Sequence, residues 1–372
     1  MIEQRILNAD NQYEQLDLYL KNSAHKKILL VCGESIKYFN IGTYFNLLEE
    51  RLGIKVIRFS GFNPNPLYES VVEGVKLLND ENCRLIIAVG GGSAMDVAKC
   101  IKLYSNMDHS RNYLKQNIIP NDIELIAVPT TAGTGSEATR FAVIYYMDEK
   151  QSVMNDSCIP STVIVDPSVL RSLSEYQKKS TMMDALCHAV ESFWSVNSTE
   201  ESLQYSEKAI QLIFSNCDGY LANDDAGNAG MLKAANIAGR AINITQTTAG
   251  HAMCYKLTSL YGIAHGHATA LCVSGLFPYM LDNTDKCTDP RGLVYLQKMF
   301  QRLAVAFGCA NTMEAVHKYK NFLRKLTLSI PKAKEADYKI LKASVNPVRL
   351  KNNPVELSMD DIENLYRQIL CG

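Results

Sequence analysis

Apolar residues in the first half of the chain come in short continuous runs, separated by segments in helical spacing. The runs "KKILLVCG" (Lys26–Gly33), "IKVIRFSGF" (Ile54–Phe62), "CRLIIAVGGGS" (Cys83–Ser93), "IELIAVPTT" (Ile123–Thr131) and "STVIVDPSVL" (Ser161–Leu170) each predict a strand. Between them, "ESVVEGVKLLND" (Glu69–Asp80) and "MDVAKCIKLY" (Met95–Tyr104) carry apolar residues on one helical face. Strands apolar on both sides, alternating with helices, predict a mostly parallel sheet covered on both faces. After about Pro167 the pattern changes. Ser174–Val196 and Glu201–Ala222 read as long helices, and few strand signals follow. The chain therefore predicts an α/β domain over residues 1–172 and an all-helical domain over 173–372.

Composition narrows the function classes. A chain of 372 residues is long enough for two cores. The net charge of −1 gives no electrostatic handle for nucleic acid or an anionic membrane surface. No apolar run approaches the roughly 18 residues of a membrane span, and the N-terminus lacks the apolar core of a signal peptide. A cytoplasmic protein with no nucleic-acid or membrane partner is expected. The 11 cysteines show no CxxC spacing, which predicts free thiols rather than disulfides.

Two loops carry nucleotide-binding chemistry. In "VGGGSAMDVAK" (Val89–Lys99) a strand runs through Gly91, Gly92 and Ser93 into a helix. Glycine lets the backbone turn sharply and approach a ligand, and the helix start offers unpaired N–H groups to a phosphate. The second loop, "PTTAGTGSEAT" (Pro129–Thr139), is rich in hydroxyls, with Thr130, Thr131 and Thr134 able to bond phosphate or ribose. Both follow apolar strands, at the place where parallel sheets bind nucleotides.

The helical half carries a different chemistry. Three of the 7 histidines, His251, His265 and His267, fall within "AGHAMCYKLTSLYGIAHGHATA" (Ala249–Ala270). Asp184 and His188 are spaced i,i+4 and share a helix face. His251 and His265 would stand about 21 Å apart on one straight helix, so they can meet only if the chain turns between them. Gly262 supplies that stop. Asp184, His188, His251 and His265 then form an Asp/His₃ set suited to Fe²⁺ or Zn²⁺. On iron, four ligands leave a position open for a carbonyl oxygen.

Taken with "VIVDP" and "DALCHAVES", these segments resemble the iron-dependent (group III) alcohol dehydrogenases in order and spacing, over almost the whole chain. The resemblance implies an α/β nucleotide-binding domain followed by an all-α metal-binding domain, the dehydroquinate synthase-like architecture, with the active site in the cleft between. It implies an iron-containing NAD(P)-dependent enzyme, a homodimer by family default, that reduces a small aldehyde to a primary alcohol. By the same resemblance Asp184, His188, His251 and His265 are the metal ligands. Asn65, Gly92, Ser93, Asp96, Thr130, Thr134 and Lys150 match cofactor contacts. Many members carry an aspartate where Gly33 stands here, before Glu34. Glycine leaves room for a 2′-phosphate, so NADPH is expected to be accepted beside NADH. Many members also have a histidine where this chain has Tyr255. The proton is then expected to come from solvent through the cofactor ribose or His267.

Four further stretches, "SGFNPNPLYESVVEGV", "ATRFAVIYY", the histidine-rich segment and "VNPVRLKNNPVELS", look most like the phosphonoacetaldehyde reductase branch. Such a substrate needs cationic or hydrogen-bonding groups near the metal. Arg140, Tyr255, Lys256 and His267 are the candidates, Arg140 for its planar fork of donors. The alternative is a general short-chain alcohol dehydrogenase of the butanol, propanediol or lactaldehyde type.

Overall fold

The computed structural model describes residues 4–9 and 12–371. The chain divides into two compact units, Met1–Leu173 and Ser174–Gly372.

The first unit is built on a six-stranded sheet. Its strands are β1 (Arg5–Asn8), β2 (Lys27–Cys32), β3 (Lys55–Phe59), β4 (Leu85–Gly90), β5 (Glu124–Pro129) and β8 (Thr162–Val165), in the order β1-β8-β5-β4-β2-β3. Every pairing is parallel. The interior residues explain why. Ile28–Cys32, Leu85–Ala88 and Ile126–Val128 are essentially inaccessible, so these strands are apolar on both sides and need cover on both. From β2 the chain steps outward to β3, then returns past β2 to β4 and continues to β5. The order of succession therefore reverses between β2 and β4, the switch point where parallel sheets open a crevice at their C-terminal strand ends.

Three details depart from the sequence reading. β1 is a sixth strand of only 4 residues, too short to stand out by pattern. β6 (Phe141–Tyr146) and β7 (Glu149–Met154) form an antiparallel hairpin apart from the main sheet. Its two-residue turn, Met147 and Asp148, has φ of 51° and 60° without the Asn-Gly signature that usually marks such turns. The predicted strand over Ser161–Leu170 ends at Val165. The Asp166 side chain accepts a hydrogen bond from the Ser168 N–H, and Pro167 opens a 3₁₀ turn over Pro167–Ser172, so the later apolar residues leave the sheet.

The second unit is helical, and its helices start where side chains can satisfy free N–H groups. Ser174 and Gln177 cap the Glu175–Trp194 helix reciprocally, and Thr199 with Ser202 caps Glu200–Leu221. Asp225–Thr245, Ala249–Tyr261 and His265–Asp282 follow. Phe193, Trp194, Tyr220 and Phe277 fill the core between them. Among the described residues no helix is long and apolar enough to cross a membrane, and all 11 cysteines are free, 8 of them buried.

Candidate active site

The Glu175–Trp194 helix passes through the middle of the second unit, with Asp184, His188 and Glu191 buried on one stripe. The Ala249–Tyr261 helix ends at Gly262, which has a left-handed φ of 67°, and the next helix begins at His265. Two glycines let this hairpin close on the stripe. A Cβ on Gly266 would stand 2.1 Å from the Ser180 carbonyl oxygen and 2.7 Å from Asp184 Cβ. A Cβ on Gly250 would stand 2.7 Å from Val273 and 3.0 Å from a Glu191 oxygen. With no side chain at either place, the backbone carrying His251 and His265 approaches the carboxylates directly.

The result is a tight cluster. The ligand atoms of Asp184, His188 and His251 lie within 4.8 Å of one another, all buried. The His188 and His251 rings stack at 4.6 Å between centroids. His265 Nε2 stands 3.9 Å from Asp184 Oδ1, and that side chain is about a third exposed. Asp184 Oδ1 and His251 Nε2 are buried, have no hydrogen-bond partner, and face each other at 3.6 Å. Two ligands about 2.1 Å from one ion in tetrahedral array are separated by roughly that distance. Polar atoms are not normally left so placed in a protein interior. One carboxylate with imidazoles is a borderline donor set that fits Fe²⁺ or Zn²⁺ better than Ca²⁺ or Mg²⁺. The residues fit the metal.

Electrostatics agree. Burial alone would raise the Asp184 carboxyl, but His188, His251 and His265 outweigh it and hold it well below the usual range. Burial likewise disfavours a charged His251, yet Glu191 and Asp184 overcome it and push the imidazole up to about 9. The cluster favours positive charge, supplied by a proton or by a cation.

Glu191 was not singled out in the sequence, although it lies 3 residues after His188 on the same face. It is fully buried. One oxygen accepts from the Thr248 N–H at 3.0 Å, the Thr248 hydroxyl at 2.6 Å and the His251 N–H at 3.3 Å. The other accepts from His251 Nδ1–H. That bond fixes the tautomer and turns Nε2 toward Asp184.

Tyr255 and His267 stand differently. Tyr255 is half-buried, and its ring stacks on His265 at 5.5 Å between centroids. Burial raises its phenol well above the usual range, which keeps it protonated. His267 is about 200° around the helix from His265. It is wholly buried, 3.1 Å from the Tyr176 hydroxyl, with its N–H donating to Ser180 Oγ at 3.1 Å. Burial lowers its pKa. The structure thus gathers Asp184, His188, His251, His265 and Tyr255, and sets His267 apart from them, against Tyr176 at the start of the helix that carries Asp184.

In the first unit, Gly33, Gly91–Ser93 and the threonines Thr130, Thr131 and Thr134 follow the C-terminal ends of β2, β4 and β5, whereas Asn65 lies after β3 and Lys150 on β7. Gly33 follows β2, and a Cβ there would meet nothing within 4 Å. Gly91 caps the Gly92–Tyr104 helix, so Gly92 and Ser93 already lie in its first turn, earlier than the predicted start at Met95. A Cβ on Gly91 or Gly92 would stand 3.3 Å from Thr131 or Thr134 respectively. The Thr130 N–H donates to the Gly90 carbonyl at 3.0 Å. Lys99, fully buried, ties the hydroxyl-rich loop down by donating to Ser136 Oγ, Thr139 Oγ1 and the Phe141 carbonyl. Asp96 accepts from Ser136 Oγ at 3.1 Å. Burial pushes its carboxyl up to about 6, against the pull of Lys99 and of Lys150 on β7. Asn65 sits in the loop before Tyr68–Asp80 with a φ of 57°, a conformation asparagine tolerates. Arg140, a candidate oxyanion group, pairs with Asp156 at 3.1 Å.

Comparison with known proteins decides the family. The model of iron-containing alcohol dehydrogenases matches residues 3–167, and that of the Fe-containing alcohol dehydrogenase family's C-terminal part matches residues 178–370. The chain belongs to the iron-containing alcohol dehydrogenase family. Phosphonoacetaldehyde reductase of Streptomyces viridochromogenes is 30% identical over 312 residues, spanning 80% of this chain and 79% of that one. Alcohol dehydrogenase 4 of Saccharomyces cerevisiae is 28% identical, spanning 97% of this chain and 95% of that one. Sulfoacetaldehyde reductase of Bifidobacterium kashiwanohense, solved in complex with NAD⁺, aligns with a TM-score of 0.85 at 25% identity, covering 100% of this chain and 98% of that one. The iron-containing alcohol dehydrogenase of Thermococcus thioreducens has the same fold, with a TM-score of 0.89 at 20% identity over 100% of this chain and 99% of that one.

Proposed function

We propose that this alcohol dehydrogenase reduces phosphonoacetaldehyde, or a short aldehyde of the same anionic type, to its primary alcohol at the expense of NADH or NADPH. The observation that carries the chemistry is the pair of buried atoms without a hydrogen bond, Asp184 Oδ1 and His251 Nε2, facing each other at 3.6 Å among further imidazoles. Asp184, His188, His251 and His265 would hold the divalent ion. When bound there, the ion supplies Lewis-acid polarisation of a carbonyl oxygen, and a reduced nicotinamide supplies the hydride. The protein's own residues prepare that chemistry. Asp184 stays ionised, Glu191 holds His251 with Nε2 inward, and Tyr255 covers the exposed His265. In the first unit the helix start at Gly91–Ser93 and the threonines opposite suit a pyrophosphate. A Cβ added at Gly33 would meet nothing within 4 Å, and this room supports acceptance of a 2′-phosphate and so use of both cofactors.

The substrate class is supported by two relatives whose names share one chemistry, a two-carbon aldehyde bearing a tetrahedral oxyanion: phosphonoacetaldehyde and sulfoacetaldehyde. The second reading, a general short-chain alcohol dehydrogenase, is favoured by the near-complete span of the match to alcohol dehydrogenase 4. Iron-loaded protein assayed with each reduced cofactor against phosphonoacetaldehyde, sulfoacetaldehyde and propanal separates them. A clear excess of kcat/KM for the anionic aldehydes is expected, and equal turnover of propanal would establish the second reading instead.

A further inference from the structure

Resting on the anionic-aldehyde reading above, we propose that Arg349 is the group that selects the substrate's oxyanion. It lies in "NPVRLKNN", in a short helical turn over Pro347–Leu350 opened by Asn346, whose side chain accepts from the Val348 N–H. The segment is tied down just after the arginine, at Asn352. Asn352 donates to the Thr247 carbonyl at 3.2 Å, beside the start of the Ala249–Tyr261 helix, and its own carbonyl accepts from the Val196 N–H at 3.1 Å. These bonds hold the arginine over that helix rather than leaving it on a free loop.

From there the guanidinium reaches the metal cluster's exposed edge. Arg349 Nη1 donates to the Tyr255 hydroxyl at 2.9 Å, and the guanidinium centre lies 5.1 Å from the Tyr255 ring centroid. The same ring stacks on His265, which in turn stands beside Asp184. Arginine offers five N–H donors in a planar fork, and one bond to a phenol leaves most of them. The other arginines of this unit that lie close to acidic groups are spent on them: Arg291 on Asp289, Arg302 on Glu200 and Glu207, Arg367 on Glu335 and Glu363. No carboxylate pairs with Arg349 among the described residues. A half-buried guanidinium held by an uncharged partner retains its affinity for an anion.

The reach is appropriate. In a two-carbon aldehyde the carbonyl oxygen and the oxyanion oxygens are roughly 5 Å apart at standard bond lengths. With the carbonyl at the cluster, the head group falls on the Tyr255 side, where the guanidinium can fork two of its oxygens. Arg140 is paired with Asp156 instead, and His267 is engaged by the Tyr176 hydroxyl.

The test uses full-length, metal-loaded protein, the parent beside Arg349→Ala, Arg349→Lys and Tyr255→Phe. Steady-state kcat/KM is measured for phosphonoacetaldehyde and propanal, calorimetry measures ethylphosphonate binding, and bound metal is quantified throughout. Arg349→Ala should lower the phosphonoacetaldehyde-to-propanal ratio by roughly ten- to a hundredfold, the weight of one charge-assisted contact. It should weaken ethylphosphonate by a similar factor at parental metal content. Arg349→Lys keeps the charge without the fork and should recover part of the loss. Tyr255→Phe, which removes only the positioning hydrogen bond, should show a smaller drop in both readouts. A parent that prefers phosphonoacetaldehyde, with Arg349→Ala and Arg349→Lys that keep both the ratio and ethylphosphonate binding, overturns the role of Arg349 and leaves the substrate reading standing. A parent that treats the two aldehydes alike overturns both.

Discussion

The two units solve the binding problem in opposite ways. In the first, the candidate site is made of backbone and small side chains: Gly33, Gly91, Gly92 and the threonines of the β5 loop. Its affinity for a nucleotide would come from N–H groups at a helix start and from empty space. In the second, charged groups are carried into the core and left without hydrogen-bond partners, as at Asp184 Oδ1 and His251 Nε2. Partnerless polar atoms are costly to bury, and the arrangement persists only because neighbouring charges and a prospective cation offset the cost. A site of the first kind tolerates substitution gradually, whereas one of the second kind should fail abruptly.

The sharpest way to break this contrast is His251→Ala or His265→Ala. Either should strip bound metal, measured by elemental analysis, and lower kcat/KM by about a thousandfold, since Lewis-acid stabilisation is worth several kcal/mol. NADH binding by fluorescence should persist. Full activity in either variant would remove the metal assignment. Glu191→Gln leaves every proposed ligand in place but weakens the bond that orients His251. Metal affinity should fall about ten- to a hundredfold in chelator competition.

Gly266→Ala asks whether the close approach of backbone to Asp184 matters. Its Cβ would meet the Ser180 carbonyl oxygen at 2.1 Å, so the helix start must shift. A loss of about 1–3 kcal/mol in denaturant unfolding is expected, and metal retention should drop with it. Gly33→Ala, where a Cβ meets nothing, should be nearly silent by the same measurement.

Smaller effects are expected in the first unit. Gly33→Asp would set a carboxylate beside the expected 2′-phosphate, and the NADPH-to-NADH ratio of kcat/KM should fall about tenfold, on the order of 1.4 kcal/mol. An unchanged ratio would show that the cofactor ribose lies elsewhere. The Asp96 carboxyl is raised by burial to about 6 from 3.8. Its contribution is therefore full below pH 4 and is lost as pH rises through 6, when the ionised form must be carried in the fold. Asp96→Asn removes that penalty. The stability of the variant relative to the parent should climb between pH 4 and pH 7, by about 2 kcal/mol, and its Tm with it. A difference that is flat with pH would show Asp96 to be better solvated than its surroundings suggest.

Much of the molecule was legible before folding was considered. Continuous apolar runs alternating with helical segments specify a covered parallel sheet, because only strands buried on both sides can afford no polar face. The change of period after Pro167 announced the helical unit, and Gly262 announced the turn that lets His251 and His265 approach one another. Glycine after a strand and before a helix marks a tight turn into a helix start for reasons local to the backbone.

Only tertiary structure decided the rest. β1 depends on pairing with β8, from the far end of the unit, and four residues carry too little pattern to predict it. Glu191 looked like one more helical glutamate until Thr248 and His251 were brought to it from about 60 positions away. Arg349 read as one charge in a polar stretch, and its meaning comes from a phenol 94 residues earlier. His267 shares a short segment with two proposed metal ligands but meets Tyr176 instead of the cluster, since neighbours at i and i+2 on a helix do not face the same way. Local sequence fixes backbone period, caps and turns, because these depend on residues within one or two helical turns. Which buried charges meet, and which stay unpaired, depends on contacts between distant segments that no local pattern encodes.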